Sequence, residues 1–127
     1  MFGRILAACL MLGWPATVFA HEGPGPHGGP TTDAGDYYME LVVNENQLRV
    51  FLFEQKGDAP VGIKEAKGRA TVLVGQEKAT IALEPGKSDG DGNMMVGQIG
   101  LTAGAGSRIV VVIEFPGKPA AVGRWAI

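Results

Sequence analysis

The chain has 127 residues, with 11 Lys+Arg against 13 Asp+Glu, a net charge of −2 and a single cysteine. That length suits one domain with a modest core. Mild acidity without a basic cluster argues against a nucleic-acid partner, and one cysteine excludes an internal disulfide or a multi-thiolate metal site.

The first twenty residues carry a secretory pattern: Arg4, an apolar run from Ile5 to Leu12, a break at Gly13, Trp14 and Pro15, then Val18, Phe19 and Ala20 ahead of the cleavage point. The apolar run is shorter than the roughly 20 residues that a spanning helix needs. The reading is a signal peptide over 1–20, cleavage between Ala20 and His21, a periplasmic location and no membrane insertion afterwards. Cleavage also removes Cys9. Residues 21–36, rich in Gly and Pro with almost no apolar side chain, read as a flexible tail.

From Tyr37 onward the pattern is strands separated by turn residues. Residues 37–44 alternate, with Tyr37, Met39, Leu41 and Val43 on one face. Glu45 and Asn46 form a turn into residues 47–55, where Leu48, Val50 and Leu52 oppose Arg49, Phe51 and Phe53. After a polar connection, in which Val61 and Ile63 suggest a short edge strand, residues 70–74 and 78–83 read as a second hairpin. Residues 84–92 read as a loop and 93–101 as a weak strand. Residues 108–115 are apolar on both faces, as a central strand would be. Residues 120–127 close the domain. About seven short strands over residues 37–127, with no helical period, imply an all-β fold, a small antiparallel immunoglobulin-like sandwich. A small barrel is the competing architecture.

The candidate chemistry lies in the tail. A free N-terminal His21 offers an α-amine and an imidazole, His27 a third nitrogen and Glu22 an oxygen. Such a set suits copper(II), with zinc or nickel as alternatives. Met94 and Met95 are strand neighbours pointing to opposite faces, so they serve packing better than one shared ion. Residues 89–93 open like a calcium loop, but Met94 and Gly100 stand where glycine and glutamate are required. Ser88 and Ser107, the only serines, lack a nucleophile-elbow context, so no enzyme is expected. The scattered carboxylates read as solubilising groups, and Tyr37, Tyr38, Trp125 and the phenylalanines as core packing.

Several segments carry a resemblance: His27, Gly28 and Gly29 ahead of the first strand; Tyr38, Met39, Glu40, Leu41 and Val42; Leu48 to Leu52; Ala70 to Val74; and the stretch from Asn93 to Gly100. Together they resemble small periplasmic domains of heavy-metal efflux systems, free-standing or at the N-terminus of the periplasmic adaptor subunits. The resemblance implies a β-sandwich tied to copper or cobalt–zinc–cadmium handling, with an efflux component as partner and His27 as a ligand. The alternative is a non-metal cell-envelope domain that binds its partner by strand-edge pairing.

Overall fold

The computed structural model describes residues 23–86, 92–100 and 103–127. Among them the fold is all-β without a helix: β1 (Thr31–Ala34), β2 (Tyr37–Asn44), β3 (Gln47–Glu54), β4 (Lys67–Val74), β5 (Glu77–Pro85), β6 (Met94–Gln98), β7 (Arg108–Phe115) and β8 (Lys118–Ala126). All pairings are antiparallel, and the strands form one nearly closed sheet in the order β1-β2-β3-β6-β5-β4-β7-β8. The signal peptide expected over 1–20 lies outside the described residues.

Alternation sets the inward face. Met39 and Leu41 of β2, Leu48, Val50 and Leu52 of β3, Met95 of β6, Ala70 and Val72 of β4, Ile109, Val111 and Ile113 of β7, and Ala121 and Trp125 of β8 meet in one apolar cluster. Closure depends on β5, which pairs with β4 along most of its length and then with β6 through Glu84 and Pro85. The seam between β1 and β8 has no ladder. It is drawn shut by the Trp125 indole N–H, which donates to the Pro30 carbonyl at 3.1 Å. At Gly123 a Cβ would stand 2.8 Å from the Met39 sulfur, so the missing side chain lets β8 approach β2.

The hairpin turns match their residues. Phe115 pairs with Lys118 around Pro116 and Gly117. Proline presets the first central position, and Gly117, at φ 70°, supplies the left-handed one. Glu45, at φ 57°, takes that conformation without glycine's freedom, at a cost of about 1 kcal/mol.

Three expectations need correction. The flexible tail assigned to 21–36 does not hold for its described part, because Thr31–Ala34 form β1 and residues 23–30 are bonded into the sheet. Val61 and Ile63 form no strand; an isolated bridge between Phe53 and Pro60 and a bond from Ile63 N–H to the Gly92 carbonyl at 3.2 Å hold that stretch. β7 is flanked by β4 and β8, but only its inward residues are fully buried, with Val110 and Val112 half-buried.

Candidate functional site

The outward face of the β2–β3 hairpin is covered too. Tyr38 and Glu40 of β2, Phe51 and Phe53 of β3 and Met94 of β6 are buried there, apart from the inner core. Register places Tyr38 opposite Phe53, and Phe51 between Glu40 and Met94. The Tyr38 and Phe53 rings stack at 5.0 Å. These aromatic side chains therefore pack outside the core they were expected to fill. Met94 and Met95 do point to opposite faces, Met95 into the core and Met94 into this outer cluster.

A strap made of residues 23–30 lies beside this patch. It folds on itself through Gly25 N–H to the Gly29 carbonyl (2.7 Å) and Gly28 N–H to the Gly25 carbonyl (2.9 Å), with Pro24 bridged to Pro30. It joins the sheet where Leu41 N–H donates to the Pro30 carbonyl at 3.0 Å. Gly25 and Gly29 allow the close approach. A Cβ on Gly25 would meet the Glu40 carboxyl carbon at 2.5 Å, and one on Gly29 would collide with the Leu41 carbonyl oxygen.

Glu40 is the anchor. Its side chain is 0% exposed. One carboxylate oxygen, Oε2, accepts the backbone N–H groups of His27 (2.8 Å) and Gly29 (2.9 Å). The other, Oε1, faces His27 Nδ1 at 2.8 Å. A buried carboxylate is tolerated where donors replace its lost hydration, and here the strap supplies all three contacts. The expectation that the carboxylates only confer solubility is therefore wrong for Glu40.

The His27 ring lies flat on Phe51, with centroids 3.7 Å apart and planes 14° from parallel. Its side chain is 34% exposed, and Nε2 has no partner among the described residues. An imidazole held at Nδ1 by a carboxylate, with no partner at Nε2 among the described residues, has the geometry by which a carboxylate behind a metal-binding histidine orients its ring. Among the described residues, no group of three or more His, Cys, Asp or Glu side chains is placed to hold a metal ion. His21 and Glu22, the other candidate ligands, lie outside the described residues, as do Ser88 and most of the calcium-like loop at 89–93.

Gly23, where the described chain begins, lines a cavity of about 220 Å³ together with Tyr38 and Asp58. Burial, then the charge and hydrogen bond of Asp58, push the Tyr38 phenol up to about 12. Thr31 Oγ1 donates to the Gly23 carbonyl at 2.9 Å and ties this end of the strap to β1.

Sequence reasoning selected His27 but missed Glu40, thirteen residues away. A signal was present. The outward positions of the hairpin, Tyr38, Glu40, Val42, Arg49, Phe51 and Phe53, are too apolar for a solvated face, and the carboxylate among them needs donors from elsewhere in the chain. In comparisons with known proteins, no family, curated sequence or solved structure matches this chain.

Proposed function

We propose that the protein is a periplasmic metal-binding accessory of a heavy-metal efflux or resistance system, with copper(II) as its cargo and zinc(II) or nickel(II) as alternatives. One observation carries this reading: buried Glu40 holds Nδ1 of His27, whose side chain is 34% exposed and whose Nε2 has no partner among the described residues. A neutral imidazole fixed in this way is a good donor to all three ions. The described residues supply one such nitrogen, so the other donors come from His21 (amine and imidazole) and Glu22, or from the partner. An incompletely enclosed ion suits a protein that passes its cargo on, and a binding role needs no enzymatic machinery. The compact all-β body, in this reading an immunoglobulin-like sandwich, serves as the platform for the strap.

The test is titration of the secreted protein with Cu(II), followed by electron paramagnetic resonance to count nitrogen donors. His27→Ala and one extra residue ahead of His21 should each weaken binding by at least tenfold. Affinity unchanged by both variants would refute the assignment.

The second reading is a non-metal envelope domain that binds by strand-edge pairing. The seam favours it, because β1 and β8 end the strand order without pairing to one another. A cavity of about 340 Å³ lies at its end, between Ala34, Gly35 and Tyr37 on one side and Lys118 and Pro119 on the other. Retention of partner binding and metal resistance by the His21→Ala/His27→Ala double variant would favour this reading over the first.

A further inference from the structure

We infer that Glu40 selects the tautomer of His27 and thereby couples metal occupancy to docking of the 23–30 strap. The inference rests on the metal reading above and adds a positioning residue to it.

The acceptors of Glu40 decide where the imidazole proton sits. An ionised carboxylate has no proton to donate. Oε2 already accepts two backbone N–H groups, and among the described residues Oε1 faces only the ring. The neutral imidazole therefore puts its proton on Nδ1 and its lone pair on Nε2. Stacking on Phe51 holds the ring in that orientation. A metal ion on Nε2 draws electron density from the ring and strengthens the Nδ1–H bond to Oε1. The same carboxylate holds the strap backbone at His27 and Gly29, so occupancy stabilises the docked strap. By linkage, the docked strap favours the metal to the same extent.

Glu40→Gln separates the two jobs of this side chain. The amide oxygen can still accept the backbone N–H groups, whereas the amide N–H₂ facing Nδ1 donates. The ring must then place its proton on Nε2, where the metal would bind. Three measurements on the secreted protein test the idea. Nitrogen-15 NMR of the neutral His27 ring should show the Nδ1–H tautomer in the parent and the Nε2–H tautomer in Glu40→Gln. Cu(II) affinity should fall by about 10–100-fold in Glu40→Gln, as for lost outer-shell partners of metal-bound histidines, while protection of the Gly29 amide is retained. In the parent, Zn(II) should slow exchange of the His27 and Gly29 amides.

The inference is overturned by an Nε2–H tautomer in the parent, by Cu(II) affinity of Glu40→Gln within twofold of the parent, or by amide exchange indifferent to Zn(II). Should Glu40→Gln fail to fold, the parent's tautomer and its Zn(II)-dependent exchange still decide the matter. A parent that binds no metal overturns this inference together with the reading beneath it. A parent that binds metal as tightly as Glu40→Gln overturns only the role of Glu40.

Discussion

On the inward face of the β2–β3 hairpin, Met39, Leu41, Leu48, Val50 and Leu52 meet side chains delivered by the far strands. On the outward face, Tyr38, Glu40, Phe51 and Phe53 meet a loop of glycine and proline that brings little apolar surface of its own. The two faces are buried by different forces. The inner one depends on area removed from water and on close packing, shared among many residues. The outer one depends on one carboxylate with its three contacts to the strap, on the backbone bond from Leu41 to Pro30, and on ring contacts at Phe51 and Phe53. The first should be lost only with the whole domain, whereas the second can open locally.

Leu52→Ala should have the largest effect, because the side chain is fully buried at the centre of the inner cluster. A loss of about 2–5 kcal/mol is expected, read as a lower urea midpoint, with core and strap unfolding together. Gly29→Ala comes next. Its Cβ has to displace the strap from the Leu41 carbonyl and so from Glu40. The cost should be about 1–3 kcal/mol, as for a buried acceptor losing its partners. It should appear as faster amide exchange over residues 25–29 with little change in the global midpoint. If the midpoint falls as far as in Leu52→Ala, the faces are not separate and the comparison fails.

A smaller effect is expected from pH. The Tyr38 phenol titrates at 10.0 in the ordinary case and at about 12 in the fold. Between these values the unfolded chain has released its proton while the folded chain retains it. Stability is therefore complete below the lower value and falls as pH rises toward the upper one. Tyr38→Phe should flatten this part of the urea-midpoint profile, and an unaltered slope would assign it to other groups. The smallest change is expected at the exposed pair Thr71 and Thr80, whose hydroxyls lie 3.4 Å apart on the outer face of β4 and β5. Thr80→Ala should stay within about 0.5 kcal/mol of the parent. A larger loss would mean that this face is covered in solution.

The inner face was legible because its signal is a period of two in apolar residues, from Tyr37 to Val43 and again at Leu48, Val50 and Leu52. The turn at Glu45 and Asn46 was legible as a polar pair between two alternating runs. β1 and the strap were not. Residues 23–30 offer no apolar pattern, and what holds them is backbone N–H donation to a side chain whose parity suggested solvent. His27 could be selected by residue type alone. Its orientation could not, since that needs Glu40 and Phe51 on neighbouring strands, fixed by the pairing of β2 with β3. The Phe51 and Phe53 positions were the available warning, because aromatic side chains on a nominally wet face call for a cover.

The chain has two tryptophans, Trp14 and Trp125. If export removes the first, the mature protein is left with one indole, and its N–H holds the Pro30 carbonyl where the strap enters β1. Intrinsic fluorescence then becomes a site-specific optical gauge of that hinge. A red shift without loss of circular dichroism would signal that the clasp has parted while the all-β body stays intact, with no label needed.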